Sequence, residues 1–294
     1  MTQHFFCNQF SQKAYYPIKE LGQGGFGSVW SGISNTGVPI AIKILKPSSN
    51  SSRDLDTWFN EQDILRKCPN HPHIVQCYDS FHCENDGSLV IVMEKAEGNL
   101  EGFLKRNPHV HPLVVCSIGI QVCSALEHIH NNLGVIHRDL TLRNILYFSH
   151  DYFKISDFGI SKQTVSQNEV ATTLIGFQNA IPPELLLRFP YSTYRSDIYQ
   201  LGIVLLTLLR GSEPIPINLS LEQTNQMIQD GLPRQIAESL ISRFGMLAEI
   251  ISIMLRRHDS WRYQNVLEAK YALQTAFNQH QVLGVNQNWL QYKR

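Results

Sequence analysis

The chain changes character once, after Glu97-Gly98-Asn99. Before that point the apolar residues come in short runs, at 18–21, 28–33, 39–45, 74–78 and 89–93. A glycine cluster and the turn signal Asn35-Thr36-Gly37 separate them, so they predict strands. One helix interrupts the series. Over 54–67, Leu55, Trp58, Phe59, Gln62 and Leu65 fall on one stripe. After Asn99 the segments 113–130, 197–209, 247–255 and 266–277 all carry helical period. A β-rich part therefore precedes a mainly helical one, which predicts an α+β fold of two parts. The expected divisions are an extension at 1–14, a first lobe at 15–96, a second at 97–280 and a tail at 281–294, with a hinge near 94–97.

Composition narrows the function classes. A chain of 294 residues, 43% hydrophobic and 17% charged, is ordinary globular material with room for a real core. Lys+Arg and Asp+Glu both number 25, a balance that argues against nucleic-acid or anionic-membrane binding as the main activity. The apolar run near 201–209 is about half of a membrane span, and residues 1–12 lack the basic-then-apolar order of a secretory signal. The six cysteines form no CxxC pair and read as free thiols in a reducing compartment; the cytoplasm is the expected location.

Gly22-Gln23-Gly24-Gly25-Phe26-Gly27 matches GxGxxG. Alone, this pattern fits a structural turn as well as a phosphate site. A dinucleotide loop would lead into a helix, and a Walker loop would need Gly-Lys-Ser/Thr; here the loop leads into the β-type run Ser28-Val29-Trp30. What remains is a hairpin tip whose backbone can lie close over phosphates. Sixteen residues beyond Gly27 stands Lys43, within Ile40-Ala41-Ile42-Lys43-Ile44. A lysine in an alternating strand normally points to solvent; behind a glycine loop it is better placed to hold nucleotide phosphates. Glu61 lies inside or beside the apolar stripe of the 54–67 helix, where a carboxylate needs a partner, and Lys43 is the candidate.

The densest signal comes later. His137-Arg138-Asp139-Leu140-Thr141-Leu142-Arg143-Asn144 sits between apolar anchors, and Ser156-Asp157-Phe158-Gly159 follows the strand-like Phe153-Lys154-Ile155. Taken in this order behind the glycine loop and Lys43, HRDxxxxN and DFG make the chain resemble a eukaryotic-type protein kinase from about Tyr15 to its last helix. The resemblance implies the bilobal kinase fold, ATP and Mg²⁺ as cofactors, and a protein substrate. It implies Asp139 as the group that orients the acceptor hydroxyl and takes its proton, with Asn144 and Asp157 as oxygen ligands for Mg²⁺. It also places the adenine between Leu21, Val29 and Ala41, with Met93 as gatekeeper, the Glu94 C=O and Ala96 N–H on the base edge, and Gly22, Gly24 and Gly27 over the phosphates. His137 is expected to pack structurally.

Ile181-Pro182-Pro183-Glu184 stands where kinases carry APE, and Asp197 and Gly202 match the DxxxxG of a buried helix. Arg262 matches the arginine that pairs with the APE glutamate, here Glu184. Thr173 falls on the usual activation-loop phosphorylation position, a candidate autophosphorylation site with Arg138 as the partner of the phosphate. Some positions depart from the pattern: Thr141 replaces a lysine usual in Ser/Thr kinases, Arg143 matches a tyrosine-kinase position, and Phe177 and Pro182 match neither class fully. The reading is a protein kinase with Ser/Thr acceptors favoured. Dual or Tyr specificity, a nucleotide-binding pseudokinase scaffold and a small-molecule kinase of the same fold stay open.

Overall fold

A computed structural model describes residues 5–24, 27–45, 52–84, 86–149, 151–163, 180–216 and 218–284. The chain divides into two compact units, Met1–Glu97 with Ser156–Ser161, and Gly98–Ile155 with Lys162–Arg294.

The first unit holds strands β1 (Phe6–Asn8), β2 (Lys13–Gly24), β3 (Gly27–Ser34), β4 (Pro39–Leu45), β5 (Cys77–His82) and β6 (Leu89–Glu94), and helix α1 (Ser52–Lys67). The strands form one antiparallel sheet in the order β1-β2-β3-β4-β6-β5. β4 lies inside it, and both of its faces are buried. Ile40, Ile42 and Ile44 join Phe6, Tyr15, Phe81, Val90 and Val92 in one core cluster. Ala41 and Lys43 face the other way, as the period of a strand requires.

The structure adds to one expectation and corrects another. The extension expected at 1–14 contains an edge strand, since β1 pairs with β2 from Phe6↔Tyr15 to Asn8↔Lys13. Three residues are too few to show a period, and the contact that fixes them is distant. Asp79 accepts hydrogen bonds from Asn8 Nδ2 (2.8 Å), Tyr15 Oη (2.7 Å) and Ser11 Oγ (3.3 Å). The strand expected at 74–78 begins at Cys77 instead. Ile74 and Val75 are buried loop anchors, and Ile74 N donates back to His71 O in a turn. An apolar run shows burial, and burial alone does not make a strand.

The second unit contains β7 (Gly98–Asn99), α2 (Leu100–Arg106), α3 (Pro112–Leu133), β8 (Val135–Ile136), β9 (Ile145–Ser149), β10 (Tyr152–Ile155) and β11 (Lys162–Gln163). Helices α4 (Tyr194–Arg210), α5 (Leu221–Gln229), α6 (Leu232–Ser239), α7 (Ile241–Phe244), α8 (Met246–Met254) and α9 (Val266–Gly284) follow. α3 opens on Pro112 with a His111 cap and ends at Gly134 in the left-handed conformation. By length and composition it is the helix among the described residues that could cross a bilayer. Val115, Ile118, Val122 and Ile129 are among its buried side chains, and it packs against α4, α9 and β10. α4 starts with a capping box, Thr193 with Ser196, and is buried from Ser196 to Leu209. The loop 137–144 lies between β8, which pairs with β11, and β9, which pairs with β10 and β7.

Candidate active site

In the first unit the site residues gather on one face of the sheet. Strand register alone does most of this. Residues directly opposite each other in a sheet share a face. Val29 is opposite Lys43, Ala41 is opposite Met93, and Gly22 is opposite Val29. Gly22, Val29, Ala41, Lys43 and Met93 therefore lie on the same side. Leu21 sits where β2 bulges, and is 53% exposed. Gly24 pairs with Gly27 at the end of the hairpin, and Gly25 and Phe26 lie outside the described residues. Gly27 has φ +105°, and a Cβ there would stand 2.2 Å from Ile44 O, so only glycine lets the hairpin lie against β4. At Gly22 a Cβ would meet nothing within 4 Å, so the loop is open above that position. Glu94 ends β6, its N–H donating to Gln76 O, and Ala96 is half-buried one residue short of the unit boundary.

Lys43 is the centre of charge. Its Nζ lies 2.6 Å from Glu61 Oε2 and 3.0 Å from Asp157 Oδ1. Lys43 and Glu61 are buried, and Asp157 is partly exposed. Burial lowers the affinity of Lys43 for its proton, but the charges of Asp157 and Glu61 outweigh burial and hold it as an ammonium. Burial pushes the Glu61 carboxyl up, and Lys43 opposes that shift. One ammonium between two carboxylates leaves a negative charge over, which suits a divalent cation beside Asp157.

The helix supplying Glu61 is turned from the expected stripe. Its buried face is Trp58, Glu61, Ile64 and Leu65, while Leu55 and Phe59 are exposed. A stripe drawn through apolar residues alone passes beside Glu61; the ion pair with Lys43 puts the carboxylate in the middle. Asp157 stands at φ +66°, uncommon for a residue with a side chain. A Cβ at Gly159 would come within 2.8 Å of Thr57 Cγ2, so glycine there lets the segment close on α1.

In the second unit a loop presents Asp139 and Asn144. It is held from α4 by two side chains one turn apart. Asp197 accepts from His137 N (2.8 Å) and Arg138 N (2.8 Å), and its Oδ2 also meets His130 Nε2 at 2.7 Å. Gln200 accepts from Leu140 N at 3.1 Å and donates to Arg138 O at 2.8 Å. These bonds fix Arg138 at φ +69° and aim the buried Asp139. His137 is fully buried and accepts from Asp139 N at 3.2 Å, a structural place. Asn144 Nδ2 donates to Asp139 O at 3.0 Å, which spends the nitrogen end of the amide on the loop and defines the oxygen end as a donor atom for a cation. A carboxylate and an amide oxygen are hard ligands and fit Mg²⁺. Gln200 was not singled out in the sequence; only its place one turn after Asp197 could have marked it.

Burial alone would push the Asp197 carboxyl up; the His130 bond, the His130 and His137 charges and the Arg138 N–H hold it below its ordinary value. A depressed folded-state value stabilises the protein above the unfolded value and loses that contribution as pH falls through the folded one. The stability of the wild type to urea should therefore fall from about pH 5 downward, and Asp197→Asn should show a lower stability at neutral pH and a shallower acid branch. An unchanged acid branch would show that Asp197 does not carry this linkage.

Behind the loop, Arg262 grips Glu184 with two bonds, at 2.6 and 2.9 Å, both side chains buried. Arg262 also donates to the carbonyls of Arg195 and Arg256 and lies over the Tyr199 ring. Ser196 Oγ completes Glu184 at 2.7 Å. Arg143 pairs with Glu101 on the surface. Thr173 and Phe177 lie outside the described residues.

Residues 15–274 match the family model described as "Protein kinase domain". The chain is 32% identical over 231 residues to "Probable serine/threonine-protein kinase kinX" of Dictyostelium discoideum, covering 76% of this chain and 21% of that protein. It is 30% identical over 217 residues to "Serine/threonine-protein kinase TIO" of Arabidopsis thaliana, covering 74% and 16%. Against "Serine/threonine-protein kinase PAK 5" of Rattus norvegicus it is 31% identical over 244 residues, covering 83% and 33%. The chain thus spans between 16% and 33% of the length of these relatives.

Proposed function

The chain belongs to the protein kinase family, and from that premise we propose that it transfers the γ-phosphate of ATP to a serine or threonine hydroxyl of a protein. The observation that carries the reading is the buried Lys43, held charged between Glu61 and Asp157. A structural ion pair needs one carboxylate; a lysine fixed by two of them, on the face shared by Gly22, Val29, Ala41 and Met93, is built to meet phosphate.

Each residue then has a task. Val29, Ala41 and Met93 supply an apolar surface for the base, with Leu21 at its edge and the Glu94 and Ala96 backbone for its polar rim. Lys43 neutralises phosphate oxygens, and Glu61 fixes its direction. Asp157 and Asn144 are the residues that would hold Mg²⁺, which would supply charge neutralisation for the phosphates. Asp139 accepts a hydrogen bond from the acceptor hydroxyl and takes its proton as the phosphoryl group departs from ADP. Stabilisation by fixed charges is the main part of such catalysis, so the pinning of the Asp139 loop by Asp197 and Gln200 matters as much as Asp139 itself. The serine/threonine preference is supported by the names of the relatives; Thr141 stands where that class usually has lysine.

The test is transfer from Mg-ATP to the chain itself and to a generic protein acceptor, beside Asp157→Ala. Wild type should transfer to phosphoserine or phosphothreonine, Asp157→Ala should fall by roughly 10²-fold or more, and peptides covering 164–179 should carry phosphate at Thr173. Absence of transfer to any protein would sink the proposal, phosphotyrosine would overturn the acceptor class, and an unmodified Thr173 would remove the autophosphorylation site.

A further inference from the structure

One side chain joins the helix that carries Glu61 to the segment that carries Asp157. Asn60 of α1 donates through Nδ2 to the carbonyl oxygens of Phe158 (2.8 Å), Ser161 (2.8 Å) and, at longer range, Gly159 (3.4 Å). All three partners are acceptors, so the nitrogen end of the amide must face them; the oxygen end would be repelled by each. An amide nitrogen has two protons, enough for the two short bonds.

The cluster needs such a tie. Lys43 attracts both Glu61 and Asp157, but the two carboxylates repel each other, and the Asp157 charge raises the Glu61 carboxyl further. Lys43 reaches Asp157 at 3.0 Å through a side chain that is partly exposed, so this contact is the weaker of the two. The left-handed backbone at Asp157 is unfavourable for a residue with a Cβ and persists only where neighbours enforce it. Asn60 grips the residues immediately after that turn, and Gly159 brings them close enough to α1 to be gripped.

We propose that Asn60 is a positioning residue that clamps the Ser156–Ser161 segment onto α1, so that Glu61 and Asp157 meet Lys43 as one unit. The role assigned to the cluster rests on the kinase reading above; the clamp itself does not, and it can be measured without nucleotide or metal. The experiment compares amide hydrogen exchange in the ligand-free wild type, Asn60→Ala and Asn60→Asp. Asn60→Ala removes the donors and should raise exchange across 156–161 by about tenfold, while the sheet keeps its wild-type protection. Asn60→Asp is isosteric but turns a charged oxygen on three carbonyls, and should raise it by roughly 10²-fold. In the active enzyme both variants should lower kcat and raise the Mg²⁺ concentration needed for half-maximal rate, with the KM for the protein acceptor unchanged. Unchanged exchange over 156–161 in Asn60→Ala overturns the proposal, and so does a rise spread evenly over the first unit, which would mean general loss of stability. Should Asn60→Asp fail to fold, the alanine variant still decides. If the wild type transfers no phosphate, the kinase reading falls and the exchange result still judges the clamp.

Discussion

Asp139→Asn is expected to lower the rate of phosphoryl transfer by roughly 10²–10⁴-fold, the range for losing a positioned general base. The substitution keeps the size of the side chain and removes its capacity to take a proton. The loop should hold its shape, because it is fixed through backbone groups: His137 N, Arg138 N and Leu140 N are all taken by Asp197 and Gln200. Binding of ATP should be nearly unaffected, since the lysine cluster is built from Lys43, Glu61 and Asp157. Single-turnover kinetics and calorimetric titration with nucleotide measure the two effects separately. An Asp139→Asn enzyme with wild-type turnover would mean that another group takes the proton.

Arg262→Met should be the most destabilising of the single substitutions considered, costing about 3–5 kcal/mol of unfolding free energy. That is a large part of the stability of an ordinary domain. The cost arises on the partner that stays behind. Glu184 is buried, and its charge is balanced by the Arg262 guanidinium at 2.6 and 2.9 Å. With methionine at 262, Ser196 alone would face that carboxylate, and the carbonyls of Arg195 and Arg256 would lose their donor. The double variant with Glu184→Gln should recover part of the loss, because no buried charge is then left over. Urea unfolding of both proteins checks this. A change below about 1 kcal/mol for Arg262→Met would show the pair behaving like an exposed one.

How much of this was legible in the residues depended on the range of each interaction. α3, α4 and α8 carry many apolar residues at helical spacing and were readable to within a few residues, while α9 was readable at its start and runs seven residues past its expected end. Lys43 with Glu61 was also legible, because a carboxylate in an apolar stripe requires an opposite charge; Glu184 with Arg262 was legible only through the resemblance to the kinase pattern. What escaped was held by polar contacts between distant positions. β1 is fixed by Asp79, 71 residues away from Asn8. Asn60 binds backbone carbonyls, which have no sequence signature, about a hundred residues on. The rotation of α1 escaped for a related reason: the middle of its buried face is a carboxylate, which a search for apolar spacing passes over.

The attachment of the Asp139 loop to α4 has a consequence for the order in which the chain matures. Residues 137 and 138 depend on a carboxylate 60 and 59 positions further along the chain. A nascent chain that has emerged only as far as β11 therefore possesses Asp139 without the means to aim it. Contacts of such separation form late, after the loop between them has been closed. The loop can thus take its final shape only once α4 has been made and its Asp197 has met the backbone of residues 137 and 138.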